Sequence, residues 1–370
     1  TDLVVDVSKE LRNLYANYEG NPKKFNNINL LLNKQLEILK IELEAEEYYL
    51  SLSSHFVKSK SSKLELVEVA KGYLVKLEPN LEIVSTQRFI FFAYTVIVLR
   101  YQIENNYTKT LELSIEAIKA LKNKGKMAQK NYILGFLIKA ISCHIQLKQY
   151  DSAETAIEEC LSLSEKGSYN WYLVKDYQLL LNFHSGQYEK AIELFLSVRN
   201  MADFERLPDH YKEQWTVHEA YFHYLIAIKK VSPSLKVLEQ MGKFRLNKFL
   251  NDVPVYAKDK RGNNISLLII QLMFLIQQKK HEEFSDRLAA LEMYSHRYLR
   301  KDETFRSNCF IHMMMQVPKG YFNRRNVSRK AEKYVEKLKE VPLEVANQSG
   351  ELEFIPYETL WGFVISTLKN

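Results

Sequence analysis

The apolar positions of this chain recur at helical spacing over most of its length. In "NLLLNKQLEILKIELEAEEYYLSL", residues 29–52, leucine and isoleucine keep one face while lysine and glutamate keep the other, which predicts a long amphipathic helix. "FIFFAYTVIVL" at 89–99 and "ISLLIIQLMFLI" at 265–276 are apolar on all sides and read as buried helices. Both fall short of the roughly 18–20 residues that cross a bilayer, so no membrane span is expected. Further helices are predicted over 210–230, 264–280 and 281–299, the last two meeting at "QKKHEEF" as a hairpin. A final pair, 323–340 and 355–370, is joined by a polar stretch with its turn signal at 347–350. No segment alternates with period two in the way an independent β domain would.

The stretch "SGQYEKAIELF" at 185–195 shows how neighbouring helices are joined. Gly186 separates the pattern of 171–184 from that of 189–198, and glycine lets the chain turn there. Tyr188 starts the second helix, Ala191 sits where only a small side chain fits between two helices, and Phe195 fills the space one turn on. The same slots hold Tyr150, Ala153 and Ile157 upstream, and Tyr107, Thr110 and Ser114 before that. The tyrosines are 43 and 38 residues apart, the range of two-helix repeats.

On these residues the chain resembles the tetratricopeptide-repeat family, whose second helix carries an A-x-x-x-F element. "GQYEKAIELF" and "KQYDSAETAI" carry it; "NNYTKTLELS" is a poorer copy. The first-helix landmarks of the family fall instead on Lys175, Gln178, Leu179 and Asn182. The likeness covers residues 85–200, and it implies an all-α, solenoid-like array of antiparallel helix pairs with irregular repeats. It also implies a groove lined by first helices, with Tyr172, Lys175 and Gln178 as candidates to receive a protein or peptide. The expected organisation is N-terminal amphipathic helices over 1–84, repeats over 85–249, an irregular connection over 250–264, and a basic helical region over 265–370.

Composition supports the helical reading. Only 11 glycines and 8 prolines punctuate 370 residues, too few for the turns of an all-β or doubly wound fold. Cys143, Cys160 and Cys309 are far apart and form no C-x-x-C pair, so buried free thiols are expected, as in a cytoplasmic protein. The chain opens on Thr1 and its first methionine is Met127. It therefore reads as part of a longer polypeptide, of which this could be the sensor or regulatory part.

Catalytic signatures are weak. His218 and His223 in "HEAYFH" are five apart, which turns them about 140° from each other on a helix, whereas the zinc motif needs a spacing of four. Surface or hydrogen-bonding histidines are the expectation. No phosphate-binding glycine loop, dinucleotide fingerprint or nucleophile elbow occurs. Carboxylates lie in helix-face runs such as "EAEE" at 44–47. A non-enzymatic protein without metal or cofactor is expected, and the dense aromatics are assigned to core packing.

Charge adds one regional feature. Residues 241–340 hold 21 Lys and Arg against 11 Asp and Glu, while the rest of the chain is slightly acidic. Lys258, Lys260 and Arg261 lie in the irregular connection; Arg297, Arg300 and Lys301 share a helical face; Arg324, Arg325, Arg329 and Lys330 cluster further on. Arginine forks suit phosphate and carboxylate, so these ten residues form a candidate anion-binding surface. The expectation is an interaction scaffold for a protein or peptide partner; the alternative is binding of nucleic acid or another polyanion through the basic region.

Overall fold

The computed structural model describes residues 1–58, 63–125, 129–252, 263–298, 305–346 and 353–369. Among them the fold is all-helical, without a strand; β pairing is limited to an isolated bridge between Asn323 and Lys369. The chain divides into two compact units, Thr1–Ala140 and Ile141–Asn370.

The first unit contains α1 (Asp2–Asn17), α2 (Pro22–Lys58), α3 (Lys63–Leu77), α4 (Gln87–Ile103), α5 (Tyr107–Lys122) and the first part of α6 (Lys130–Gln146). α1 folds back on α2, and α4 packs against α2, α3 and α5. Leu52, Ala70, Phe89, Ala93 and Val96 form the centre of this core. Thr86 and Asn106 cap α4 and α5 by accepting the backbone N–H groups of Phe89 and Lys109. These bonds satisfy donors that a helix start leaves open. Arg88 ties Asp2 of α1 to Glu46 of α2.

The second unit runs through α7 (Tyr150–Leu163), α8 (Tyr169–His184), α9 (Tyr188–Arg199), α10 (Asp209–Ala227), α11 (Leu235–Met241), α12 (Leu246–Asp252), α13 (Asn263–Gln277), α14 (His281–Tyr298), α15 (Phe305–Met314), α16 (Gln316–Lys319), α17 (Arg324–Glu340) and α18 (Tyr357–Thr367). Consecutive helices α7 and α8, α8 and α9, and α13 and α14 pack on each other. Ala153, Ile157, Tyr188, Ala191 and Phe195 are buried as the spacing predicts; Tyr150 is only half-buried. In the first unit Thr110 and Ser114 fill the same slots in the interior, Ser114 donating to the Thr110 carbonyl. The three cysteines are free and buried, and burial pushes the Cys160 thiol up to about 12 and the Cys309 thiol up to about 11.

The turn at Gly186 recurs, and glycine is not what defines it. Asn105, Lys148, Gly186, Lys229 and Lys279 all have φ between 52° and 73°. At each, that residue's N–H bonds back three residues and the next N–H bonds back five, for example Gly186 to Phe183 and Gln187 to Asn182. This is the left-handed helix C-cap, which satisfies the last carbonyls of a helix. The sequence device of three tyrosines is therefore one part of a turn used at least five times, twice where no tyrosine follows.

Two expectations are corrected here. Residues 250–252 belong to α12 and 263–264 to α13, so the irregular connection is shorter at both ends than the 15 residues expected; its middle lies outside the described residues, as does the turn signal at 347–350. His218 is not a surface residue: only 2% exposed, its ring meets Phe354 edge-on at 4.5 Å. Burial pulls its pKa down to about 3. His223 is half-buried and stacks on Phe244.

Candidate anion-binding surface

The groove residues on α8 do not converge on solvent. Tyr172 is 0% exposed, and its backbone carbonyl accepts the Tyr211 hydroxyl. This corrects its assignment to a groove: at this position the first helix turns its aromatic ring inward, against Trp171 and Tyr211. Lys175 and Gln178 are half-buried and satisfy each other at 2.8 Å, with the Lys175 ammonium over the Trp171 ring. Burial, with a smaller contribution from Lys166, lowers the Lys175 pKa.

Of the ten cationic candidates, Lys258, Lys260, Arg261, Arg300 and Lys301 lie outside the described residues; Arg297 falls on α14, but its side chain also lies outside them. The remaining four are brought together. Arg324, Arg325, Arg329 and Lys330 occupy the first two turns of α17, and all four are exposed. Val327, Ala331 and Leu338 form the buried seam of that helix, so the arrangement follows from its 3.6-residue period.

Their position is unusual on electrostatic grounds. The start of a helix is the positive end of its dipole, where carboxylates stabilise and cations cost about 0.3–1 kcal/mol each. The first turn of α17 has no acidic residue, and from Phe305 to Ala331 the sequence has no Asp or Glu at all. None of the four cations is paired with a carboxylate among the described residues. The helix is started instead by Asn323, whose side chain accepts the Asn326 N–H at 3.1 Å, and by the Arg324 N–H donating to the Lys369 carbonyl at 2.7 Å.

Sequence reasoning passed over what surrounds this helix start. Lys319 of α16 and Lys369 are exposed. Lys279, the left-handed residue at the α13–α14 corner, shares a small depression with His281, Phe322 and Lys369. Between α16 and α17, Tyr321 and Phe322 are both left-handed, with φ of 57° and 56°. Phe322 is tucked in, stacked on His281 at 3.8 Å and edge-on to Phe284, whereas Tyr321 is 85% exposed. The signal was the dipeptide itself, two aromatics directly after the turn-forming Gly320.

A second depression lies at α1, where Val7, Leu11, Leu14 and Tyr18 line an open space of about 610 Å³. Its charged lining residues are of both signs, Asp6, Lys9 and Glu10, with Lys9 paired to Asp6 at 3.6 Å. Among the described residues no group of three or more His, Cys, Asp or Glu could hold a metal ion, and no helix is long and apolar enough to cross a membrane. No family model, curated protein or solved structure matches the chain.

Proposed function

We propose that this chain is a non-enzymatic interaction scaffold, a tetratricopeptide-like array of helix pairs, and that the start of α17 is where it receives a polyanionic partner. The recurring left-handed C-cap supports the array: at Asn105, Gly186 and Lys279 it joins consecutive helices that pack on each other, as a stack of helix pairs requires. The observation that carries the binding site is the group Arg324, Arg325, Arg329 and Lys330, exposed, unpaired and set against the dipole of their own helix. An anion bound there would meet the guanidinium forks and the helix dipole together, which turns an unfavourable placement into a favourable one.

Titration with inorganic polyphosphate at low and near-physiological salt tests this reading. Saturable binding that weakens with salt and disappears in the Arg324→Gln, Arg325→Gln, Arg329→Gln, Lys330→Gln variant is expected. All four side chains are exposed, so the variant should keep its helical circular dichroism. Equal binding by the variant, or none by the unaltered chain at low salt, would remove the site.

A further inference from the structure

The left-handed turn before α17 differs from its five relatives in what it holds outward. At the corresponding position those turns carry Asn105, Lys148, Gly186, Lys229 and Lys279, the small or flexible polar residues that suit a solvent-facing, positive-φ site. Here the residue is Tyr321, a large ring that is 85% exposed. A second left-handed residue follows at once, and Phe322 anchors it in the interior.

The turn is also held tightly. Tyr321 N–H donates to the Pro318 carbonyl, Phe322 N–H to Val317, and Asn323 N–H to Gly320. Gly320 lies so close to α17 that a Cβ there would stand 2.5 Å from Val327 Cγ2 and 2.8 Å from its backbone nitrogen. Backbone strain kept in place by such surroundings is a pointer to function. What this strain maintains is an aromatic face in water, three residues before the first arginine of α17 and between the cations Lys319 and Arg324.

We infer that this corner binds single-stranded nucleic acid, Tyr321 stacking a base while Arg324, Arg325 and Arg329 take the phosphates. An aromatic platform beside a cationic track is the arrangement by which single strands are held without sequence preference. Arg325, Arg329, Lys333 and Lys337 follow at four-residue steps along α17, about 6 Å each and about 18 Å in all, with Glu332 and Glu336 interleaved in the second half. At a stacked rise of about 3.4 Å per nucleotide that is room for on the order of five nucleotides. Lys279 and Lys369, exposed beside Phe322, extend the positive ground on the other side of the ring. An acidic peptide would use the same charges but gives no reason for an exposed, strained tyrosine. The inference rests on the anion-binding reading above and adds the base to it.

The experiment is a fluorescence anisotropy titration of the whole chain with a labelled 12-nucleotide oligothymidylate and with an abasic sugar-phosphate strand of the same length. The oligothymidylate should bind the unaltered chain more tightly. Tyr321→Asn, which suits the left-handed turn but lacks the ring, should weaken oligothymidylate binding between about 5- and 150-fold and leave the abasic strand and inorganic polyphosphate unchanged. Tyr321→Trp should keep the tight binding. If Tyr321→Asn binds oligothymidylate as well as the unaltered chain does, the stacking inference falls while the anion site stands. Preference for a duplex or for polyglutamate over oligothymidylate would also overturn it. Failure of all polyanions to bind at low salt would sink the anion-binding reading, and this one with it.

Discussion

Replacing Arg306 with methionine should destabilise the second unit by about 3–5 kcal/mol, the cost of leaving a buried charge without its partner. Arg306, on α15, is 0% exposed. Its guanidinium forks onto Glu353, with Nε to Oε1 at 2.7 Å and Nη2 to Oε2 at 3.1 Å. Nη2 also reaches Glu358 at 2.7 Å, and Nη1 donates to the carbonyls of Leu338 and Val341. One side chain thus joins α15 to the end of α17 and to the start of α18. Summing five charged hydrogen bonds at about 1.5–3 kcal/mol each would give as much as the total stability of a typical domain. Much of that is offset by desolvation of the ions, so the lower figure is the one to expect. It is still large, because Glu353 would keep its burial while its carboxylate lost both guanidinium bonds, at 2.7 and 3.1 Å.

The signature that separates this from simple loss of packing is its pH dependence. Burial pushes the Glu353 carboxyl up, and Arg306 opposes that shift. Without Arg306 the folded state takes up a proton at higher pH than the unfolded chain does. The deficit of the variant should then be full above the folded-state pKa and shrink as pH falls through it. Urea unfolding, which leaves ionic interactions unscreened, gives the midpoint shift. Adding Glu353→Gln to Arg306→Met should recover at least about 1 kcal/mol at neutral pH. An unchanged midpoint for Arg306→Met, or a deficit independent of pH and of the second substitution, would refute the account.

Two further outcomes follow from packing and protonation. Ala191→Leu should cost about 1–3 kcal/mol by overpacking a site that is 0% exposed; an unchanged urea midpoint would show that Ala191 does not mark a close approach of helices. His184 and His218 are buried with pKa values lowered by desolvation to about 4 and about 3. Above about 6.5 they are neutral in both states. As pH falls below it the unfolded chain binds protons first, so each should remove about 1.4 kcal/mol by pH 5.5. Stability equal at pH 7.5 and 5.5 would contradict that burial.

The long helices were legible because their periodicity extends over many residues. Residues 29–52 fall inside the longer α2, whereas 281–299 correspond to α14 and 323–340 to α17 within about one residue at each end. The short elements α11, α12 and α16 were not, because four to seven residues hold too little period to read. Ala191 and Phe195 were placed by a local spacing, and local spacing survives folding. Tyr172 was misplaced because whether a helical aromatic faces core or solvent depends on the neighbour it meets, here Tyr211 from another helix. The burial of His218, against the surface half of its expectation, was missed for the same reason. Its surroundings come from Phe183, Trp215 and Phe354, which stand as far as 136 residues away in sequence.

Arg306 and Tyr321 show the two ways in which chemistry escapes a reading of charge along the chain. Arg306 counts toward the basic excess of residues 241–340, yet it is wholly consumed inside, against carboxylates that lie beyond that window at Glu353 and Glu358. Regional charge therefore overstates what a partner can meet. Tyr321 was passed over in the sequence, yet a left-handed backbone keeps its ring out of the core. Burial and backbone conformation, rather than composition, decide which side chains face a partner. By that criterion the described surface narrows from a basic third of the chain to one corner, where unpaired arginines at a helix start stand beside an aromatic ring that packing does not need.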